Sequence, residues 1–482
     1  MNYKMVGRFL AQILTVEGLF MIPAVIIGYV CGEDNAMQAL LWSILIIAVV
    51  VAFLRLTCRH AASGFYAKEG LACVGLGWIG MSLFGGLPFF IAREIPNYVD
   101  ALFEIVSGFT TTGSSILPAV EDMSKCLLYW RSFSHWLGGM GVLVLATAVL
   151  PSMGIRSHYL TQAETPGPVF SKLVPKQSTT SKILYSIYFG LTAVETVLLK
   201  IAGMPWYDAV IHALSSAGTG GFSNRNASVG AYGSVAIDLI ITVFILLFSV
   251  NFAVYFLLLT RKFRDILASD ELRFFLTVVA GSTLLIAWNI RGLYSSFAQA
   301  LRYAVFQVAS IISTTGFATA DFTLWPQLSH LILILIMFCG ACAGSTGGGM
   351  KCSRILILGR SLRREIHRIV HPRSVEVVTL DGKVVEEETI HSVLTFIGSY
   401  FLVILTGALI ISLDNFSFSV SFSAALTCVS NVGPGLELIG PAGNFSIFSP
   451  LSKLVMSLCM IVGRLEILPV LVLFSRSTWR KD

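Results

Sequence analysis

The sequence predicts an all-α polytopic membrane protein, in which four pseudo-symmetric hairpin units surround one central pore and two extra transmembrane helices precede them. Two observations predict this fold. The 482 residues are 55% hydrophobic and only 12% charged, with a mean hydropathy of +0.79, whereas about 25% of the residues of soluble domains are charged. The second observation is a pattern of about 14 residues that recurs four times between apolar runs.

Ten apolar runs approach the roughly 20 residues that cross a bilayer as a helix. They lie at 9–30, 38–56, 70–92, 126–150, 182–203, 235–260, 272–290, 329–358, 392–413 and 452–475. The first run lacks the cleavage site and short core of a removable signal, so we expect it to remain as a span.

Lysine and arginine accumulate in alternate loops. Because basic residues mark cytoplasmic loops, the sequence predicts that both termini are cytoplasmic. The net charge of +6 then reflects loops facing anionic membrane lipid, and it gives no indication of nucleic acid binding.

The recurring pattern reads "DALFEIVSGFTTTG" at 100–113, "DAVIHALSSAGTGG" at 208–221, "YAVFQVASIISTTG" at 303–316 and "VSFSAALTCVSNVG" at 420–433. The copies align without a gap and end in glycine. Each is too short to span a bilayer. Each unit is therefore predicted to contain an outer span, M1, a short re-entrant helix, P, and a returning span, M2.

Irregular backbone at membrane depth is tolerated where it lines a water-filled cavity or is buried in protein. Glycine permits backbone angles that can aim carbonyls at an axis, and a ring of carbonyls replaces the hydration shell of a cation in potassium filters. The predicted filter, where K⁺ would bind, comprises Thr111, Thr112, Gly113, Thr219, Gly220, Gly221, Thr314, Thr315, Gly316, Asn431, Val432 and Gly433. Transporters with repeated broken helices and close packing of small residues are the alternatives. The register of the second and fourth copies stays open, although the alignment selects Gly221.

The stretch "GSTGGGMK" at 344–351 lies in the eighth apolar run. A Walker motif needs lysine directly after its last glycine, but Met350 occupies that place and Lys351 follows one position late. No nucleotide or organic cofactor is expected in this chain. Because glycine is a poor helix former, we expect the helix to break at about 340–349.

The sequence gives little support for an enzyme or for a structural metal site. The nine cysteines lie mostly in spans and suggest no disulfide framework. Cys339 and Cys342 form a C-x-x-C, but no second pair or histidine cluster stands near them to complete a zinc site. The H-E-x-x-H and G-x-S-x-G patterns are absent from the sequence.

Four polar residues in apolar surroundings are expected to have structural roles. Asn251 is interpreted as an interhelical hydrogen-bond donor. Glu195 is expected to face protein or water. Glu104 and Gln307, at equivalent positions of the first and third copies, are expected to brace the filter from behind.

The chain divides into five segments on this basis. Residues 1–69 hold the two N-terminal helices and a cytoplasmic linker, 70–150 the first repeat, and 151–260 a cytoplasmic loop and the second repeat. Residues 261–358 hold the third repeat with its broken M2 and the loop at 340–350, and 359–482 a cytoplasmic loop and the fourth repeat.

The sequence contains the motifs "SGFTTTG", "GGMGVLVLATAVLP" (138–151), "AETPGP" (163–168), "GGFSNRNAS" (220–228), "GSTGGGMK" and "VGRLEILPV" (462–470). In these motifs it resembles the Trk/Ktr/HKT superfamily of potassium transporters, and within it the bacterial TrkH family. In that family four units like potassium-channel subunits surround one pore. TrkH members add two N-terminal helices, which KtrB relatives generally lack. The fourth filter segment, "SNVG", departs from the threonine-rich version.

The resemblance implies potassium uptake by a homodimer in the inner (cytoplasmic) membrane, one pore per protomer, with a cytoplasmic ring of TrkA-type nucleotide-binding domains as regulatory partner. The basic loops at 151–181, 261–271 and 359–391 are candidates for docking it, and positive-inside topology explains them equally well.

The resemblance also implies a gate beneath the filter, composed of Gly344, Ser345, Thr346, Gly347, Gly348, Gly349, Lys351 and Arg464. The alternative is that these glycines only pack helices closely. A symporter coupled to Na⁺ or H⁺ is the alternative function.

Overall fold

The computed structural model describes residues 2–59, 67–139, 141, 177–467, 470 and 473. The N-terminal helices are α1 (Tyr3–Phe20), α2 (Ile22–Cys31) and α3 (Asp34–Thr57). Pro23 lies in the first turn of α2, where its missing N–H costs least. The α1 helix packs against α3 and also against the first helix of the following repeat. This pair therefore flanks the four repeats on the side of the first one.

The four repeats share the order of outer helix, short helix and inner helix. In the first repeat these are α4 (Ala67–Gly85), α5 (Leu87–Ile91), α6 (Tyr98–Phe109) and α7 (Lys125–Gly139). The second contains α8 (Gln177–Ile201), α9 (Trp206–Ala217), α10 (Val235–Ser249) and α11 (Phe252–Leu259). After a linking helix, α12 (Phe263–Ala268), the third contains α13 (Asp270–Ile290), α14 (Phe297–Ile312), α15 (Gln327–Cys339) and α16 (Cys352–Val370). The fourth contains α17 (Glu387–Ile411), α18 (Phe418–Ser430) and α19 (Pro450–Arg464).

The short helices α6, α9, α14 and α18 are the central elements. Asn97, Ser296 and Ser417 cap the first, third and fourth through side-chain oxygens that accept backbone N–H bonds, which satisfies donors that a helix start leaves open. Most residues in the second halves of all four helices are buried. The core of the protein thus lies around their C-terminal ends.

Six helices or continuous helix pairs within the described residues are long and apolar enough to cross a membrane, or seven if one sharply bent pair counts as a span. The other three of the ten predicted spans do not form one long helix within the described residues. The run at 329–358 is broken. The runs at 126–150 and 452–475 continue beyond the described residues. The multi-pass helical architecture matches the prediction.

The sixth predicted span, 235–260, is bent by 93° between α10 and α11. Asn251 stands at the bend, and its side-chain oxygen accepts the N–H of Ala253 at 2.9 Å as the N-cap of α11. The interpretation of Asn251 as an interhelical donor was therefore wrong. A single run of apolar residues does not reveal this break, because capping satisfies the backbone at the bend locally.

A small hairpin lies between the third and fourth repeats. Strands β1 (Thr379–Leu380) and β2 (Lys383–Val384) pair antiparallel. Arg360 of α16 donates to the Asp270 carboxylate at 2.9 Å, and the N–H of Asp381 donates to the same carboxylate at 3.0 Å. The hairpin is thus tied to the start of α13. Residues 142–176, which include most of the predicted docking segment 151–181, and residues 474–482 lie outside the described part of the chain.

Candidate functional site

The four predicted filter segments have the same backbone conformation. Their first residues adopt positive φ angles, 56° at Thr111, 52° at Thr219, 60° at Thr314 and 55° at Asn431. The glycines two positions later are also positive, 82° at Gly113, 76° at Gly221, 84° at Gly316 and 105° at Gly433. Asn431 therefore occupies the place of the threonines. The backbone supports the gapless alignment, including its choice of Gly221.

One backbone hydrogen bond recurs at every turn. The N–H of the middle residue donates to a carbonyl five positions earlier, at the end of the short helix. The donor and acceptor pairs are Thr112 and Ser107 at 2.9 Å, Gly220 and Ser215 at 2.9 Å, Thr315 and Ser310 at 2.8 Å, and Val432 and Thr427 at 3.0 Å. The chain leaves each short helix along the same path.

The four turns contact one another in a closed ring. A Cβ added at each final glycine would collide with the carbonyl oxygen that precedes the glycine of the next repeat. The distance from the added Cβ to the carbonyl oxygen would be 2.0 Å for Gly113 and Gly220, and 2.0 Å for Gly221 and Thr315. It would be 2.3 Å for Gly316 and Val432, and 2.9 Å for Gly433 and Thr112. Glycine is required at these positions by both space and backbone angle. The fourth turn thus meets the first.

Side chains behind the turns hold the chain that follows them. Glu104 accepts from Ser115 Oγ at 2.9 Å, from the Ile116 N–H at 2.9 Å and from Arg131 Nε at 2.6 Å. Gln307 Nε2 donates to the Ala320 carbonyl at 3.3 Å. Both contacts lie where the sequence placed a brace.

Two further braces were missed from the sequence. His212 Nε2 lies 3.0 Å from Ser223 Oγ, and Ser423 Oγ accepts the N–H of Leu436 at 3.1 Å. The signal for His212 was present, since it occupies the same alignment position as Glu104 and Gln307. Alanine stands at that position in the fourth copy, and the neighbouring Ser423 takes over the contact.

The segment 340–351, here called the glycine loop, separates α15 from α16. It lies against the ends of the third and fourth short helices. The N–H of Gly348 donates to Thr314 Oγ1 at 2.6 Å, and the N–H of Gly349 donates to the Ser430 carbonyl at 2.9 Å. A Cβ on Gly348 would lie 2.3 Å from that Ser430 oxygen. The break predicted at 340–349 thus falls directly beside two of the turns.

Arg464, at the end of α19, joins the glycine loop to the first repeat. Its Nη1 donates to the Thr346 carbonyl at 2.8 Å, and its Nη2 donates to the carbonyls of Gly138 and Gly139 at 2.5 and 2.7 Å. The latter carbonyls end the described part of α7, where a cation is favoured. Arg464, which belongs to the fourth repeat, thus links the third repeat to the first.

The two charged residues flanking this contact have different partners. Lys351 is buried, and its Nζ donates to the Gly347 carbonyl within the loop. Glu466 pairs with Arg354 of α16 at 2.5 Å.

Glu271, near the start of α13, is a loop anchor that the sequence did not indicate. Its buried carboxylate accepts the N–H of Ala343 at 2.7 Å and the N–H of Ser353 at 3.0 Å. The loop is also bound to the bend after α10, because the Phe252 N–H donates to the Gly344 carbonyl at 3.0 Å. The glycine loop is therefore held on several sides.

Glu195 is fully buried near Ser216 of α9, so it faces protein as expected.

Cys339 and Cys352, at the two ends of the glycine loop, have sulfurs 3.7 Å apart. All nine cysteines are free. Over the described ranges, no group of three or more His, Cys, Asp or Glu residues is arranged to hold a metal ion.

The family model for TrkH, a cation transport protein, matches residues 36–481. The chain belongs to the TrkH family. It is 34% identical to the Trk system potassium uptake proteins TrkH of Halomonas elongata and of Escherichia coli K12, over the full length of both chains in each case. The crystal structure of the potassium transporter TrkH from Vibrio parahaemolyticus matches with a TM-score of 0.88 and 31% identity, also over 100% of both chains.

Membership in the TrkH family confirms the resemblance read from the sequence motifs and the all-α polytopic fold. It makes the chain a multi-pass membrane protein of a transport family, and not an enzyme.

Proposed function

We propose that this TrkH-family protein takes up K⁺ across the inner membrane through a selective, channel-like pore whose filter is the ring of four turns. The observation that carries the proposal is the closed ring of contacts between each final glycine and the next repeat. The name of the relatives, Trk system potassium uptake protein, supports the choice of ion.

The chemistry of the ring suits a dehydrated cation. Each turn offers backbone carbonyls next to a glycine with no side chain to obstruct them, and carbonyl oxygens can replace the water shell of K⁺. The four short helices end beside the turns, where the negative ends of their dipoles favour a cation. K⁺ is the transported substrate in this proposal, and the chain itself carries no nucleotide or organic cofactor.

The glycine loop and Arg464 form the gate in this proposal. The loop lies against the ends of the third and fourth short helices, and Arg464 holds its Thr346 carbonyl. Movement of the loop would open the conduit. Because α16 continues directly from Lys351 towards the hairpin at 379–384, a partner acting on this segment could move the loop.

The regulatory partner we propose is a TrkA-type nucleotide-binding ring on the cytoplasmic side. The ring would dock on the basic loops of this chain at 151–181, 261–271 and 359–391. Both termini would also be cytoplasmic. The protein would be a homodimer in lipid. Native mass spectrometry in mild detergent and in lipid nanodiscs should show two protomers, and monomers in both media would contradict the dimer.

Ion substitution in proteoliposomes tests the function. We expect K⁺ flux that follows the K⁺ gradient, exceeds Na⁺ flux, and proceeds without any Na⁺ or H⁺ gradient. Protein-free liposomes give the background. An absolute requirement for a Na⁺ or H⁺ gradient would replace the channel-like mechanism with coupled symport, and equal K⁺ and Na⁺ flux would remove the proposed selectivity.

A further inference from the structure

The second turn has glycine at two positions where the other turns carry side chains. At the first position before the turn and at its middle position, the other repeats carry side chains, namely Thr110 and Thr112, Ser313 and Thr315, and Ser430 and Val432. The second repeat has Gly218 and Gly220 at these places. It therefore has no side chain at either of these two positions.

The first and third turns are supported by an internal pair of hydroxyls. Thr110 Oγ1 and Thr112 Oγ1 lie 2.8 Å apart, and Ser313 Oγ and Thr315 Oγ1 lie 2.7 Å apart. In the fourth, Ser430 Oγ instead bonds to the Tyr400 hydroxyl at 2.6 Å. Three turns thus have a hydrogen bond behind them that begins at the residue preceding the turn.

At the second turn, the imidazole of His135 occupies this space. A Cβ on Gly220 would lie 2.1 Å from His135 Nδ1 and 2.3 Å from its Cγ. A Cβ on Gly218 would lie 2.2 Å from the His135 carbonyl oxygen. The two glycines therefore allow both the ring and the backbone of α7 to approach the turn.

His135 is itself held in place from the outer side. Its fully buried ring stacks on Phe222, with centroids 4.0 Å apart and planes 19° apart. Phe222 directly follows the second turn, and the guanidinium carbon of Arg131 lies 3.4 Å from its ring centre. Arg131 in turn pairs with Glu104 behind the first turn. The α7 helix thus links the first and second turns.

We propose that His135 is a positioning residue for ion selectivity, which replaces in the second turn the support that Thr110, Ser313 and Ser430 give the other three turns through their hydroxyl hydrogen bonds. The proposal rests on the filter assignment made above. Without the imidazole of His135, Gly220 would border a cavity. The Gly220 carbonyl could then move away from its place beside the first turn. Because the Gly113 position abuts that carbonyl, the first turn would also lose its neighbour.

A double-mutant cycle between His135 and Gly220 tests this inference. His135→Ala should lower the K⁺/Na⁺ permeability ratio about tenfold, because a cavity beside a turn loosens its carbonyl. Gly220→Ala alone should abolish most flux, since its methyl group would collide with the imidazole. In the double variant the methyl group enters the vacated space, so flux should recover relative to Gly220→Ala. His135→Gln, which keeps a planar group, should retain more selectivity than His135→Ala.

Two controls match these variants. Phe133→Ala removes a buried ring two residues away on α7, on the side that contacts Phe20, and should keep the permeability ratio. Gly190→Ala places a methyl group in open space and should keep flux. Strictly additive effects of His135→Ala and Gly220→Ala, or an unchanged ratio in folded His135→Ala, would overturn the inference.

Thermal unfolding of the same purified variants separates this inference from the proposed function. Coupling between His135 and Gly220 should appear in the melting temperatures as well as in flux. If the wild-type protein shows no preference for K⁺, the proposed function fails even though the coupling persists. If the wild type prefers K⁺ and neither readout shows coupling, only the inference fails.

Discussion

Arg464 donates to the backbone carbonyl of Thr346 at 2.8 Å and so fastens the glycine loop to the end of the last described helix. The same guanidinium binds the carbonyls of Gly138 and Gly139. A single side chain therefore stabilises the loop in its position beside the third and fourth turns.

Arg464→Ala should raise K⁺ flux and reduce its dependence on the cytoplasmic partner. Hydrogen bonds to a charged group contribute about 1.5–3 kcal/mol each, so losing them should favour the open loop at least about tenfold. Deleting part of 344–349 should act in the same direction. Flux of ⁸⁶Rb⁺ or K⁺ into proteoliposomes measures both. Arg291→Ala, which removes an arginine that lies over Trp288 at the end of α13, is the control. Wild-type flux and regulation in both folded variants would refute the gate.

Glu271→Ala should also release the glycine loop. Its carboxylate accepts N–H bonds from residues on both sides of the loop, and removing it would leave those buried donors without their acceptor at about 1–3 kcal/mol each. We expect increased basal flux and a lower melting temperature. The exposed Glu388→Ala should alter neither. A lower melting temperature with unchanged flux would restrict Glu271 to a structural role.

Gly113→Ser should weaken the preference for K⁺ over Na⁺. The glycine has φ +82°, and any Cβ would lie 2.0 Å from the Gly220 carbonyl oxygen, so the ring of carbonyls must open. Reversal potentials under bi-ionic conditions measure the ratio. Gly292→Ser is the matched control, because nothing lies within 4 Å of a Cβ there. An unchanged ratio with normal expression would remove the first turn from the filter.

Glu104→Ala should destabilise the protein by about 3–5 kcal/mol, because it leaves the buried Arg131 without its partner. The variant also removes the brace behind Ser115 and Ile116, so the permeability ratio should fall together with the melting temperature. The exposed ion pair of Arg364 and Glu387 provides a control. Glu387→Ala removes an exposed partner of Arg364, and it should change neither quantity. Full stability in Glu104→Ala would show that the other contacts of Arg131, with the Ser223 carbonyl and the Phe222 ring, are enough to hold its charge.

The sequence predicted the repeats well because their signals are local. A glycine at the same position of each copy specifies each of the four turns. Glu104 and Gln307 could be assigned as braces from their alignment position alone. Their common position also held His212, but the change of residue type concealed its equivalent contact with Ser223. A role shared by a carboxylate, an amide and an imidazole is visible only when the acceptors and donors around it are known.

Other features depend on contacts between distant parts of the chain. Asn251 lies in a continuous apolar run, and hydropathy does not reveal that the run bends by 93° there. Glu271 is an ordinary residue in the first turn of α13, where acidic residues are favoured by the helix dipole. Its role appears only because the glycine loop returns to it. The pairing of Gly220 with His135 likewise joins residues from two repeats.

The ring of turns also fixes how the repeats are arranged around the pore. Each final glycine meets the following repeat, and the fourth meets the first, so neighbours in the chain are neighbours in space. Rotating the repeat order, for example to second, third, fourth and first, would preserve every turn-to-turn contact. Exchanging the second and third repeats would place a different carbonyl against Gly113, Gly221 and Gly316, and only the contact from Gly433 to the first repeat would remain. The pore is thus cyclic in its contacts even though the polypeptide that builds it is linear.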